Sequence, residues 1–485
     1  MQLGKKHEEI ARRVLEIAKT LINFRFEDNY MGYMLDNAIY FVSSIILIIW
    51  CFRQNVDFVS KFIYAITFVI LNSSYNIMIK SVGHHVLVVP RNFLYHKEIF
   101  GQVVPVDLIA VLFVAISLKE IPKSISGISR SVLMRDIGLF ALGTISYIIN
   151  QGYSVLGVSA YFRYARGLLY LMAFFFVTRR YLRQGVKILF PLSIIMLGSG
   201  ASCLVVPLRD LWVRYSHRVL IIDQESAYTI SILLILIYFF LLLERKRKKI
   251  KIPRLPILVG FTLFLFQYAW CTYKTAYVYA IIFAACVMYF VKGHRKGMIV
   301  VFTCFFVISP LVINSVVRLF TSTPIFTRLN QITEYTEYIS NGENSLYAFL
   351  FGSGIGTPYY TPNLSTDTGE VKGVDLLANP HWKISLQTPI LSVFKDTGII
   401  GMFVFIISTV SICIRIGNML RNIYIEFSEF TYQICETLAL GTMLIFIVSI
   451  RTVYDSTSAA SVFNGFVLAR FCYSANEIRK TQNHL

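Results

Sequence analysis

Residues 351–401 read FGSGIGTPYYTPNLSTDTGEVKGVDLLANPHWKISLQTPILSVFKDTGIIG and form the one long polar insertion in a chain that otherwise consists largely of apolar runs. The stretch opens with the glycine-rich segment FGSGIG (351–356), reaches His381 beside Trp382, and closes with DTGIIG (396–401), where another apolar run begins. Polar loops that a rigid scaffold holds in place commonly carry the functional residues of a protein. We therefore interpret the apolar runs as the scaffold and this insertion as the functional part.

Composition places the chain among integral membrane proteins. Its 485 residues are 56% hydrophobic, the mean hydropathy is +0.61, and apolar runs of about 18 residues or more recur along it. Because backbone polar groups in lipid must be paired within their own segment, we predict an all-α, multi-pass protein. The net charge of +19 is typical of basic cytoplasmic loops, and no nucleic-acid-binding motif accompanies it. The expected environment is a lipid bilayer, and nucleic acid is not an expected partner.

The apolar runs predict about 12–14 transmembrane helices with both termini inside and one large extracytoplasmic loop. The predicted parts are a cytoplasmic amphipathic segment (1–34), a transmembrane bundle (35–319), the large extracytoplasmic loop (320–389), C-terminal transmembrane helices (390–473) and a cytoplasmic tail (474–485). The predicted spans are 36–52, 58–79, 105–118, 135–150, 166–178, 186–207, 227–243, 255–272, 275–291, 298–319, 390–414, 431–450 and 459–473.

Clusters of basic residues orient these spans, because cytoplasmic loops are enriched in Lys and Arg. Such clusters occur at 179–183, at 244–251, at 294–296, and at Arg415 with Arg421. They place the 320–389 loop outside. The same alternation puts the basic N-terminal segment outside as well, so either an early span is miscounted or the segment 80–104 dips into the membrane.

Several cations lie at the outer ends of spans, against this bias: Arg163, Arg166, Lys274, Arg318 and Arg328. Cations in such positions favour an anionic ligand. The alternative is that they are snorkelling side chains or ion-pair partners of acidic residues, with Asp210, Asp223, Glu334 and Asp455 as the candidates. The carboxylates of the outer loop, Glu334 and Asp396 among them, show no spacing typical of a catalytic pair, and we expect them to be solvated.

The sequence predicts no metal site. All eight cysteines fall in or at the ends of apolar segments, a placement that indicates neither a disulfide framework nor thiolate ligands. The glycines of FGSGIG lack the following Lys and Ser/Thr of a Walker loop. We interpret them as residues that allow a tight turn and close backbone approach.

An ordered set of short motifs resembles the O-antigen polymerase and O-antigen ligase superfamily of bacterial envelope glycosyltransferases. The motifs are TYK (272–274), Arg328 in TRLNQITEYTEYI, FGSGIG (351–356), PHW (380–382) and DTGIIG (396–401). Two positions depart from the family pattern. Lys274 stands where Arg is usual, and Trp382 follows the histidine where Asn is common.

The resemblance implies a GT-C-like membrane glycosyltransferase in the bacterial cytoplasmic membrane, with its active site facing outward. Its substrate would be undecaprenyl-diphosphate-linked oligosaccharide, and it would need no cofactor or metal. A flippase and a chain-length regulator of the same pathway would be its partners. Two alternatives stay open, namely a ligase that transfers finished polymer to an acceptor, and a flippase or transporter for the lipid-linked oligosaccharide.

The resemblance also implies roles for individual residues. It assigns catalysis to His381 and Arg328, and His381 is the candidate base because imidazole titrates near neutral pH. The alternative for His381 is that it only positions the acceptor. The residues expected to bind the diphosphate are Arg163, Arg166, Lys274 and Arg318. Those expected to stack on sugar are Trp382, Tyr359 and Tyr360, for which an interfacial aromatic belt is the alternative.

Overall fold

A computed structural model gives the fold. The described residues are 31–73, 76–81, 86–90, 93–96, 99, 103–118, 127–150, 155–181, 188–199, 201, 218–221, 227–248, 274–293, 324–341, 345–361, 381–384, 386, 389–426, 432–450 and 458–483.

Helices account for most of the described residues. In chain order they are α1 (Met31–Arg53), α2 (Phe58–Asn72), α3 (Phe93–His96), α4 (Pro105–Ser117), α5 (Gly127–Ile149), α6 (Val155–Tyr181), α7 (Leu189–Ser199), α8 (Ala227–Lys248), α9 (Lys274–Val291), α10 (Pro324–Ser340), α11 (Ser345–Phe351), α12 (Pro389–Glu426), α13 (Tyr432–Ile450) and α14 (Ser458–Asn483). In this part of the chain three helices, α5, α12 and α13, are long and apolar enough to cross a membrane. Large apolar side chains stay exposed along α1, α5 and α12, as lipid-facing surfaces require. The fold is that of a helical membrane protein.

Several predicted spans coincide with helices. The helices α1, α4, α9 and α13 begin and end within a few residues of the spans predicted for them. The prediction of a span over 58–79 is wrong beyond Asn72, where α2 ends. The N-terminal amphipathic segment and the spans predicted at 255–272 and 298–319 lie outside the described residues.

A small antiparallel sheet corrects the all-α prediction. Its strands β1 (Asn76–Ser81), β2 (Val86–Pro90) and β3 (Arg218–Ile221) pair in the order β2-β1-β3. Asn76 is opposite Pro90, and Met78 is opposite Ile221. Val and Ile residues favour strands, and β1 and β2 are too short to be spans. The first part of the segment 80–104, for which a dip into the membrane was one of two alternatives, therefore contributes to a pair of antiparallel strands.

The core is centred on α13, whose membrane-length window is 89% buried. It packs against α8, α9, α12 and α14, and α14 packs in turn along α6. Arg470 of α14 pairs with Glu436 of α13 (Nε to Oε1, 2.8 Å), and both side chains are buried. Removing one partner of such a pair would leave an uncompensated charge, so the pair fixes the register of the two helices.

A second buried arginine joins α5 to the same core. Arg135 pairs with Asp136 (Nε to Oδ1, 2.8 Å). Its Nη1 donates to the Thr409 hydroxyl and to the Val448 carbonyl oxygen, both at 2.9 Å. One side chain thus links α5, α12 and α13, the three membrane-length helices.

The long helix α12 is broken near its start. Gly398 has φ 68° and ψ −168°, which is not helical. The residues before it form a short helix, and the main helix begins after it. This break receives the glycine-rich segment FGSGIG, residues 351–356.

Candidate functional site

The glycine loop, residues 352–356, is docked against the ends of α5 and α12. The Ser353 N–H donates to the carbonyl oxygen of Lys395 (2.8 Å), and the Ile355 N–H donates to that of Gly143 (3.1 Å). The Ser146 hydroxyl donates to the carbonyl oxygen of the residue that precedes the loop (2.6 Å). The loop is therefore fixed to two helices of the bundle through its own backbone.

Positive φ angles and close contacts explain the glycines. Gly354 has φ +99°, and a Cβ atom there would lie 2.3 Å from the backbone nitrogen of Tyr147. Gly398 has φ +68°, and its Cβ would lie 2.3 Å from the Leu350 carbonyl group. Residues with side chains rarely adopt such φ values. The prediction that the glycines of FGSGIG allow a tight turn and close backbone approach is confirmed for Gly352, Gly354 and Gly356.

A buried lysine holds the loop at the break in α12. The Lys395 ammonium is fully buried, donates to the Gly354 carbonyl oxygen (3.1 Å) and pairs with Asp396 (Nζ to Oδ1, 3.1 Å). The expectation that Asp396 is solvated is wrong, because this carboxylate is 7% exposed. A buried ammonium requires such partners, so the ion pair and the docked loop depend on each other.

The helix α10 contacts the glycine loop through Tyr335. Its hydroxyl lies 2.7 Å from the Ser353 hydroxyl and donates to the Lys395 carbonyl oxygen (3.1 Å). Its ring packs edge to face on Tyr359 and Phe394, with centroids 5.4 and 5.9 Å away. Burial raises the pKa of Tyr335 well above its ordinary value. The phenol therefore stays protonated and keeps its role as a donor.

Tyr335→Phe is expected to lower the free energy of unfolding by about 1–3 kcal/mol, because it removes one partner of buried hydrogen bonds. The matched control is Tyr338→Phe. Tyr338 lies one helical turn away and is 36% exposed, and its hydroxyl makes no hydrogen bond to the described residues, so we expect almost no change. Thermal unfolding of the purified protein in detergent measures both. Equal shifts for the two variants would contradict the role given to Tyr335.

Two short strands lie next to α10, the helix that contacts the glycine loop. The strands β4 (Tyr359–Tyr360) and β5 (Trp382–Lys383) pair antiparallel, with Tyr359 opposite Lys383 and Tyr360 opposite Trp382. Side chains alternate across a strand, so Tyr359 and Lys383 point inward while Tyr360 and Trp382 point outward. The strand pair thus has one buried and one exposed side.

The buried side is fixed by an ion pair. Lys383 pairs with Glu334 of α10 (Nζ to Oε2, 2.7 Å), with side-chain exposures of 4% and 6%. The expectation that Glu334 is a solvated loop carboxylate is wrong. Tyr359 is fully buried in the cluster around Tyr335, so its ring is not available for stacking on a ligand.

The exposed side carries His381 and two aromatic rings. Tyr360 is 49% exposed and Trp382 39% exposed. The Tyr360 ring lies 5.8 Å from the imidazole of His381 at an interplanar angle of 30°, and 5.6 Å from the ring of Trp382. The structure therefore brings together the predicted base and two of the three predicted sugar-binding residues.

The hydrogen bond made by the His381 side chain determines which ring nitrogen can accept a proton. Its Nδ1 lies 3.3 Å from the carbonyl oxygen of Thr361. A carbonyl oxygen only accepts, so Nδ1 carries the proton, and in the neutral ring Nε2 then holds the lone pair. The Thr361 N–H donates back to the His381 carbonyl oxygen (2.9 Å). The contact between Nδ1 and Thr361 thus fixes the orientation of the half-buried imidazole and leaves Nε2 as its proton acceptor.

Of the predicted diphosphate ligands, Arg163 and Arg166 lie on α6. This helix reaches the glycine loop, because a Cβ atom on Gly356 would lie 2.6 Å from the backbone nitrogen of Tyr161. Arg166 pairs with Asp107 of α4 (Nε to Oδ1, 2.9 Å). Asp107 was not among the acidic partners considered from the sequence.

Asp107 is the centre of a small polar network. Besides pairing with Arg166, its Oδ1 accepts from the Tyr170 hydroxyl (2.7 Å), and its Oδ2 accepts from the Val104 N–H (2.8 Å). The second bond satisfies an N-terminal donor of α4. The network holds the Arg166 guanidinium in a fixed place on the face of α6.

The remaining predicted cations are only partly described. Arg328 lies on α10, and Lys274 is the first residue of α9, but their side chains lie outside the described part. Arg318 lies outside the described residues altogether. Within the described part of the chain, no group of three or more His, Cys, Asp or Glu residues is arranged to hold a metal ion.

Comparison with known proteins gives no relative: no family model, no curated protein and no solved structure matches the chain.

Proposed function

We propose that this protein polymerises oligosaccharide units linked to undecaprenyl diphosphate, as a GT-C-like glycosyltransferase at the outer face of the bacterial cytoplasmic membrane. The observation that supports the proposal is that three elements carrying candidate residues meet at the glycine loop. The loop touches α6 at Tyr161 and α10 at Tyr335, and β4 follows it directly. These three elements carry Arg163, Arg328 and, through the pairing of β4 with β5, His381.

The chemistry requires a base and a stabilised leaving group. A hydroxyl oxygen of the acceptor sugar forms the new bond to the anomeric carbon of the donor, and the bond from that carbon to the diphosphate oxygen breaks. Nε2 of His381 takes the hydroxyl proton, and the electron pair leaves with the undecaprenyl diphosphate. The exposed ring of Tyr360 packs against the imidazole and contacts the ring of Trp382, and the two exposed rings offer apolar faces to a sugar.

Cationic side chains stabilise the leaving diphosphate. Arginine suits a leaving diphosphate because its guanidinium forms forked contacts with phosphate oxygens. Arg163 follows Tyr161 by two residues, so its backbone is about 3 Å farther along the axis of α6 than the contact with the glycine loop. Arg328 precedes Tyr335 on α10 by seven residues, or about 10 Å along the axis. In this proposal Arg166 is held in place by Asp107 beside Arg163.

A deletion strain examined by glycan gel electrophoresis tests the proposal. The expected result is single repeat units on the acceptor, with polymer restored by the wild-type gene. Polymer accumulating on the undecaprenyl carrier would instead indicate a ligase, and substrate held on the inner leaflet would indicate a flippase. Either of these outcomes would overturn the polymerase assignment.

A further inference from the structure

A cavity of about 300 Å³ lies at the end of α5, α6 and α12 that is remote from the glycine loop. Its lining includes the start of α5 at Gly127, the arginines Arg179 and Arg415, and the asparagines Asn418, Asn422 and Asn476. None of the described residues that line it is a carboxylate. The described lining therefore combines apolar side chains with three amides and carries a net positive charge.

The distance between the cavity and the glycine loop is close to the thickness of a bilayer. On α5, Ser146 at the glycine loop and Gly127 at the cavity are separated by about 29 Å along the axis, and on α6 Tyr161 and Arg179 are separated by about 27 Å. The hydrocarbon core of a membrane is about 30 Å thick. If the glycine loop lies at the headgroup level of one leaflet, the cavity lies at the headgroup level of the other.

Two groups in the cavity favour an anionic ligand. Arg415 is exposed, and its guanidinium donates from Nη1 to the Ser131 hydroxyl (2.8 Å), a neutral partner. Among the described residues it makes no ion pair with a carboxylate. Gly127 and Ile128, at the N-terminus of α5, also line the cavity, and helix N-termini attract anions.

A third observation is independent of these charges. The side-chain oxygen of Asn418 is buried and has no hydrogen-bond partner among the described residues. Buried polar atoms are almost always satisfied by protein, water or ligand. A half-turn of the amide exchanges its oxygen for its NH₂ group, so the same position can donate to an anion.

We propose that this cavity binds the phosphate group of an anionic phospholipid from the adjacent leaflet. Arg415 and Arg179 face the phosphate oxygens, and the asparagine amides contact the rest of the headgroup. The volume lies at the small end of the range for ligand sites, which suits a phosphate with a glycerol and not a larger glycan. The site is separate from the proposed glycosyl-transfer site and does not depend on it.

Binding is tested on the delipidated full-length protein in detergent, with phosphatidylglycerol, phosphatidylcholine and inorganic phosphate as probes, by native mass spectrometry and by the shift in thermal unfolding. Phosphatidylglycerol is expected to bind in preference to phosphatidylcholine. Arg415→Gln should weaken its binding about tenfold, because a charge-assisted hydrogen bond is lost. Asn418→Asp should weaken it as well, since it places a negative charge beside the phosphate.

The matched control is Arg130→Gln, which removes the same charge from an exposed residue on the first turn of α5 that does not line the cavity. It is expected to bind like the wild type. Arg415→Lys, which keeps the charge, should retain the lipid preference and thereby exclude misfolding as the cause of the loss. Equal phosphatidylglycerol binding by wild type, Arg415→Gln and Asn418→Asp would overturn the proposal. Binding of inorganic phosphate alone, lost in Arg415→Gln, would overturn the lipid source and show that the anion is soluble.

Discussion

His381→Asn is expected to abolish polymer formation while the protein still folds. The amide NH₂ of asparagine can replace Nδ1 as the donor to the Thr361 carbonyl oxygen, at present 3.3 Å away. No atom of asparagine replaces Nε2, the proton acceptor of the proposed reaction. Loss of a general base lowers a rate by about 10²–10⁴-fold. The measurement is polymer length and rate in the complemented deletion strain, with protein levels determined by immunoblot.

His381→Ala separates catalysis from positioning. It removes both the proton acceptor and the hydrogen bond to Thr361. If asparagine supports normal polymer and alanine does not, the histidine only orients the strand pair. If both variants make full-length polymer at the normal rate, His381 has no part in the mechanism. The third result, loss with both, is the one that the proposed proton transfer requires.

The sequence indicated the helical scaffold and the role of the glycines because both depend on local chemistry. A long apolar run must become a helix in lipid, and this reasoning located α1, α4, α9 and α13 closely. Glycines at alternate positions indicate left-handed backbone or close approach, and the loop around Gly354 has both.

The ion pairs of Lys383 and of Arg166 could not be predicted, because each joins residues distant in the chain. Lys383 pairs with Glu334, which lies 49 residues earlier in the chain. Arg166 pairs with Asp107, which lies about 60 residues earlier and on a different helix. Nothing in local composition distinguishes such carboxylates from solvated ones. The fold decides which charges become buried, and burial then decides that they must be paired.

The strands were missed because they are short. Once β4 is recognised, period-two alternation explains why neighbouring tyrosines have different environments. Tyr359 faces the cluster around Tyr335, and Tyr360 faces outward beside His381. The assignment of both tyrosines to sugar binding holds only for a segment without regular secondary structure. The same omission hid the hairpin of β1 and β2.

Gly354→Ala is expected to undock the glycine loop and to abolish activity with it. A methyl group would lie 2.3 Å from the Tyr147 nitrogen and 2.8 Å from the Ser146 carbonyl carbon. Both contacts are backbone atoms of α5, which cannot move aside as a flexible side chain would. The φ of +99° adds a conformational cost. Together these effects should cost about 2–6 kcal/mol, a large part of the stability of a typical domain, which is about 5–15 kcal/mol.

The matched control is Gly138→Ala on α5, where a Cβ atom would meet nothing within 4 Å. Alanine there replaces the poorest helix former other than proline and should be neutral or stabilising by up to about 1 kcal/mol. Limited proteolysis of the segment 320–389 and the thermal unfolding midpoint are the measurements, alongside the polymer assay. A Gly354→Ala protein with wild-type protease resistance would show that the loop is not seated against α5. In that case the glycine loop would not hold α6 and α10 at a common point. The assembly of His381 with the arginines would then lose its structural basis.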